Sequence, residues 1–74
     1  MFDFYVNIKL RDLLTKIKDQ YITISCGHDF IYIGMCPIIG DIPNDIYVVD
    51  IFAQIRNSTP TIHIKVNKVF TIAR

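Results

Sequence analysis

Residues 22–34 read I-T-I-S-C-G-H-D-F-I-Y-I-G. Whether the central Cys26–Asp29 tetrad is a chemical site or a turn decides the fold. On its N-terminal side, residues 20–26 alternate, with Ile22, Ile24 and Cys26 on one face and Tyr21, Thr23 and Ser25 on the other. On its C-terminal side, residues 30–35 alternate as well, with Ile31, Ile33 and Met35 against Phe30, Tyr32 and Gly34. Successive side chains of a strand point to opposite faces, so two such runs around a short glycine-containing loop predict a β-hairpin. Gly27 can supply a positive φ, and Asp29 is a common turn residue. Cys26, His28 and Asp29 also resemble a nucleophile with its base and orienter. Adjacent turn residues point in different directions, however, and Cys26 has the parity of the buried face, where a thiol is not activated. The turn is the preferred reading, and no catalytic residue is assigned.

Upstream, residues 2–8 alternate, with Phe2, Phe4, Val6 and Ile8 on one face, and predict a strand. Over residues 9–18 the period changes. Leu10, Leu13, Leu14 and Ile17 fall at helical spacing, with Lys9, Arg11, Lys16 and Lys18 opposite, as in a short amphipathic helix. Its polar face is locally basic, which reads first as a solvated surface and second as a small anionic docking patch.

Downstream, residues 36–45 hold Pro37, Gly40 and Pro43 and predict a connection. It carries Ile38, Ile39 and Ile42, so it is expected to lie across one end of the core. Asp41 can cap a helical turn near Pro43–Ile46. Residues 46–56 predict the longest strand, with Val49, Ile51, Ala53 and Ile55 inward and Asp50, Phe52, Gln54 and Arg56 outward. After a loop at Asn57–Pro60, residues 61–67 place Ile62, Ile64 and Val66 inward and Thr61, His63, Lys65 and Asn67 outward. The tail from residue 68 extends this strand or frays.

The expected fold class is therefore α+β, in the order β-α-β-β-β-β. It is a four- to five-stranded, mostly antiparallel twisted sheet with one short helix after the first strand, in a single domain over 1–74. The chain is 51% hydrophobic, enough to build a core, but 74 residues bury little surface, so self-association is a live expectation. The fifteen isoleucines against three leucines point first to AT-rich coding DNA and second to pleated strands.

Eight Lys and Arg against seven Asp give a net charge of +1, so nothing attracts nucleic acid or anionic lipid in general. No apolar run approaches a membrane span, and the N-terminus lacks a signal-peptide pattern, so the expected location is cytoplasmic. Two cysteines in that compartment are expected to be reduced. Cys26, His28, Cys36 and His63 lack the paired spacing of a structural zinc module, and the three glycines match no phosphate loop. No metal and no cofactor is expected.

The outward face of the sheet carries the candidate site. Tyr5, Tyr21, Tyr32 and Phe52 are expected there, beside Arg56, His63 and Lys65. Tyr and Arg favour protein interfaces, and the same set suits base stacking. The plain alternative is that tyrosines are good strand residues with wet hydroxyls.

The series L-R-D-L-L-T-K-I-K, Y-I-T-I-S, I-Y-I-G and G-D-I-P-N-D within residues 5–56 resembles small orphan accessory proteins encoded by phages and prophages of low-GC Gram-positive bacteria. The resemblance implies a non-enzymatic protein that binds and occludes a host protein, of the anti-defence or anti-CRISPR type, in the host cytoplasm. It carries over no catalytic residue. A homodimer is left open, and a single-stranded nucleic-acid binder is the alternative.

Overall fold

The Cys26–Asp29 stretch is a turn. In the computed structural model, which describes residues 8–73, strand β1 (Gln20–Cys26) reverses at Gly27 and His28 into β2 (Asp29–Cys36). Only the first of these two loop residues has a positive φ, at 59°, the signature of a type II′ hairpin turn. A second hairpin joins β3 (Val48–Arg56) to β4 (Thr59–Val66). Its two loop residues, Asn57 (φ 50°) and Ser58 (φ 63°), are both left-handed, as a type I′ turn requires. The expected four-residue loop is thus two residues long, and Pro60 already sits in the ladder opposite Ile55. Ser58 carries a Cβ where glycine is favoured. Ser58→Gly is therefore expected to stabilise the fold by about 1 kcal/mol, read as a rise in the denaturant midpoint at unchanged slope.

The sheet order is β2-β1-β4-β3, and the two hairpins join through a parallel β1–β4 pair. Over the described residues the fold is a mixed four-stranded sheet with one short helix, α1 (Leu10–Leu14). The helix is shorter than the 9–18 pattern suggested. Lys9 provides no side-chain cap, and Thr15 turns its hydroxyl back to donate to Asp12 O at 2.7 Å. Leu10, Leu13, Leu14 and Ile17 nevertheless all reach the core. The strand expected at residues 2–8, with Tyr5, lies outside the described residues.

One face of the sheet builds the core. Leu10, Leu14, Ile22, Ile24, Cys36, Ile46, Val48, Ile64 and Val66 are buried there, with Ile38, Ile42 and Phe70 packed around them. Of the three isoleucines expected to form a lid, Ile39 is instead exposed. Near Pro43 the chain makes a turn at residues 44–45 and no helix, and Asp41 is engaged elsewhere. Asp41 forms a two-way backbone bridge with Ala73, which brings the C-terminal tail back across the domain instead of lengthening β4. A five-residue helix cannot cover the whole face, and Ala53 and Ile55 remain exposed on it.

Two bulges reset which side chains face the core. In the β1–β2 ladder the register slips between Ile24 and Ser25, leaving Ile31 as the extra residue. Beyond it the parity of β2 is inverted. Tyr32, Gly34 and Cys36 take the core side, and Ile33 and Met35 take the other. This corrects two expectations: Tyr32 is not on the open face, and Ile33 and Met35 are not in the core. Tyr32 packs against the core cluster and lies across Gly34, where a Cβ would come within 2.9 Å of its hydroxyl. The second bulge falls between Val48 and Asp50, which turns Val49 outward and buries Val48 instead.

Candidate partner-binding face

The face opposite the helix follows from the registers. From β2 to β3 it presents Met35, Tyr21, Thr61 and Gln54 at one level. Ile33, Thr23, His63 and Phe52 occupy the next, and Phe30, Ser25, Lys65 and Asp50 the last. Arg56 lies beyond Gln54, opposite Thr59. Phe30 and Arg56 therefore begin at diagonally opposite corners, yet the Arg56 guanidinium lies 5.2 Å from the centre of the Phe30 ring. Contact along that diagonal requires strong sheet twist, which makes the face concave.

His63 forms the floor of this hollow and is only 7% exposed. Phe30 meets it edge-on at 6.1 Å between ring centres, and Phe52 lies tilted at 5.0 Å. Its two nitrogens are both engaged: Nδ1 with the Thr23 hydroxyl, and Nε2 with the Ser25 hydroxyl at 3.0 Å. Thr23 and Ser25 are buried too, at 0% and 4% exposure. A hydroxyl donates or accepts, so either neutral tautomer of the imidazole satisfies both partners. Burial pushes the His63 pKa below its ordinary value. Lys65 and Arg56 push it further the same way, against a smaller opposing pull from Asp50.

Ser25 and His63 have the spacing of a nucleophile and its base. The third member, Thr23, is a hydroxyl without the charge needed to stabilise an imidazolium, and two nearby cations oppose that state. Ser25 is also almost fully covered. The arrangement acts as a hydrogen-bonded pin between the two central strands.

Two cations border the hollow. Lys65 Nζ lies 5.7 Å from the Phe52 ring centre, and Arg56 rests over Phe30. Among the described residues the only ion pair is Lys68–Asp45, elsewhere on the surface. Asp50 stands opposite Lys65 in the ladder, but its Oδ1 accepts from its neighbour's amide, Ile51 N, at 2.9 Å. Around the cations stand exposed apolar side chains: Phe30 (53%), Met35 (50%), Ile33 (47%) and Phe52 (40%).

Of the residues expected from sequence, Phe52, Arg56, His63 and Lys65 converge here, and half-buried Tyr21 lies at the margin. His63 belongs to the floor and is not a wet contact residue. Tyr32 belongs to the opposite face. Phe30, Ile33 and Met35 complete the surface without having been singled out. Phe30 had the right parity and an adjacent turn as its signal. Ile33 and Met35 had no signal, because the bulge that exposes them leaves no mark in the alternation.

The two cysteines are free and sit at opposite ends of the β1–β2 hairpin, Cys26 opposite Asp29 and Cys36 opposite Gln20. Burial raises the pKa of the Cys36 thiol, whose Sγ faces Leu14 O at 3.8 Å. Among the described residues, no three His, Cys, Asp or Glu side chains gather in a way that would hold a metal ion. No helix among them is long and apolar enough to cross a membrane. No protein-family model, curated protein sequence or solved structure matches this chain significantly.

Proposed function

We propose that the protein is a non-enzymatic binding protein that occupies the surface of a protein partner through its concave sheet face. The reading fits an accessory or inhibitor protein of the anti-defence kind, carried by a phage and directed at a host protein in the cytoplasm. The observation that carries it is the pairing of exposed apolar side chains with two cations, Arg56 and Lys65, that have no carboxylate partner among the described residues. The aromatic rings beneath them orient the charges before any partner arrives, which lowers the entropic cost of association. The complementary surface is a protein segment with apolar side chains flanked by Asp or Glu.

Single-stranded nucleic acid remains the second reading, because aromatic rings beside cations also suit bases and phosphates. Ile33 and Met35 favour protein, since aliphatic side chains add contact area without offering a stacking ring.

The two readings separate by salt and by variant. A partner complex isolated with wild-type protein should weaken about tenfold or more in Arg56→Gln and in Phe30→Ser, as expected of residues at the centre of an interface. It should weaken only modestly between 0.1 and 0.5 M salt, because two ion pairs are screened, whereas a complex that tracks many phosphates weakens far more steeply. A fluorescent oligothymidine should bind no tighter than about 100 µM at physiological salt. Tight oligothymidine binding that collapses with salt would instead support the nucleic-acid reading. A complex indifferent to both substitutions, in variants of unchanged circular dichroism, would remove the concave face from the function.

A further inference from the structure

We propose that the β2 edge pairs with the same edge of a second copy, antiparallel about a two-fold axis, to give one continuous eight-stranded sheet. Among the described residues β2 is at the margin of the sheet, so alternate peptide groups along it face outward with no described strand beside them. Natural edge strands are usually blunted by lysine, proline or inward charge. Residues 29–36, D-F-I-Y-I-G-M-C, contain no lysine and no proline, and their one charge is Asp29 at the first position. The opposite margin differs. There Ile8–Leu10 pairs with residues 46–48, and β3 carries Asp50, Gln54 and Arg56.

The strand is complementary to itself. Direct antiparallel partners share a face, so beyond the bulge the axis must pass through a residue, Ile33 or Gly34, to keep like faces together. An axis at Ile33 sets Ile33 against the partner's Ile33. An axis at Gly34 sets it against the partner's Met35. Each is an apolar cross-strand pair with no like-charge contact, and each covers side chains that are half exposed in one copy.

One device tempers this pairing. The Tyr32 hydroxyl reaches across Gly34 and donates to Met35 O at 2.7 Å, which occupies an acceptor of the strand. A seam of a few residues also falls short of the roughly 800 Å² per partner of a standard interface, so the dimer is a weak one. Its axis stands perpendicular to the sheet. Both hollows then open to the same side, and a partner displaying two copies of its acidic segment gains avidity without any new contact.

The test is solution mass by sedimentation equilibrium from about 10 µM to about 1 mM, a span suited to weak interfaces. Wild type is expected to move from 8.6 kDa towards twice that mass. Ile33→Lys puts charge into the seam at a position that tolerates it in one copy, and should stay monomeric. Tyr32→Phe frees the Met35 carbonyl and should dimerise at a roughly 2- to 10-fold lower concentration. Arg56→Gln, which tests the partner-binding reading, should leave the mass curve unchanged, so the two ideas fail separately. A wild type monomeric at about 1 mM, or a dimer that survives Ile33→Lys, would overturn the proposal. A dimer that weakens in Tyr32→Phe would do the same.

Discussion

Replacing His63 with leucine is expected to cost about 2–5 kcal/mol, because it strands two buried hydroxyls at once. Thr23 and Ser25 are almost fully covered, and each uses His63 as its side-chain partner across the β1–β4 pair. Leaving a buried polar group unmade costs about 1–3 kcal/mol for each group. In a domain of this size a loss of 1 kcal/mol lowers Tm by about 4–8 °C, so the leucine variant should melt tens of degrees early or fail to fold. His63→Gln keeps an amide donor and acceptor near the same hydroxyls and should lose much less.

The same residue sets an acid limb. Among the described residues, the charged groups facing it are Lys65 on β4 and Arg56 and Asp50 on β3. β1 offers only hydroxyls, and β2 only the Phe30 ring. Burial and the two cations hold the folded-state pKa below 6.5, the ordinary value that the unfolded chain recovers. Below that pH the unfolded state binds more protons than the folded one, so stability falls as pH drops through 6.5 and is level above it. Asp45 contributes in a separate window. Its pKa is lowered by its bond to Lys68, so its stabilisation is lost only as pH falls below the ordinary carboxylate range. Urea midpoints measured from pH 8 to pH 5 should decline for wild type and stay flat for His63→Gln. A wild-type midpoint that does not move between pH 7.5 and pH 5.5 would mean that His63 is hydrated and the hollow open.

How much of this was legible in the sequence depends on where regular alternation holds. The turn at Gly27, the inward Ile22, Ile24, Ile64 and Val66, and the outward Phe52, Arg56, His63 and Lys65 all follow from period-2 patterning. Each of these side chains lies on β1, on β4 or on β3 beyond Asp50, where no extra residue interrupts the strand's own alternation. The helix was legible as a face and not as a length. Four apolar side chains at helical spacing suffice to anchor it, but without a cap the backbone holds only five helical residues. Tyr32, Ile33 and Met35 were misplaced because one extra residue at Ile31 inverts everything beyond it. That residue is specified by tertiary packing against β1, where no local composition marks it. The parallel joining of the hairpins was likewise illegible, because strand order is fixed by which apolar faces meet. The burial of His63 was hidden by the second of these failures, the strand order. Only a twisted sheet with β4 beside β1 brings Thr23, Ser25, Phe30 and Phe52 around one imidazole.

Gly40→Ala should destabilise the protein by about 2–4 kcal/mol, well beyond the cost of removing an ordinary turn glycine. Gly40 has φ 134°, a region that side chains rarely adopt. It also lies against the returning tail. A Cβ there would fall 2.6 Å from the Ala73 carbonyl oxygen and 2.7 Å from Ile72 Cγ2. The carbonyl is not free to retreat, because it accepts from Asp41 N at 2.6 Å while Ala73 N donates to Asp41 O at 3.0 Å. The substitution must open this bridge or displace the 37–42 connection, which carries Ile38 and Ile42 onto the core. Gly27→Ala is the matched control. Its φ of 59° is also left-handed, but nothing lies within 4 Å of the added methyl group, so only backbone strain of about 1 kcal/mol should appear. The difference between the two variants isolates what the tail contributes. Hydrogen exchange at the Asp41 and Ala73 amides then identifies the mechanism. Both should lose protection in Gly40→Ala at temperatures where Ile22 and Ile64 keep theirs. Equal losses in the two glycine variants, with the Asp41 and Ala73 amides still protected, would show that the tail follows the connection and does not hold it in place.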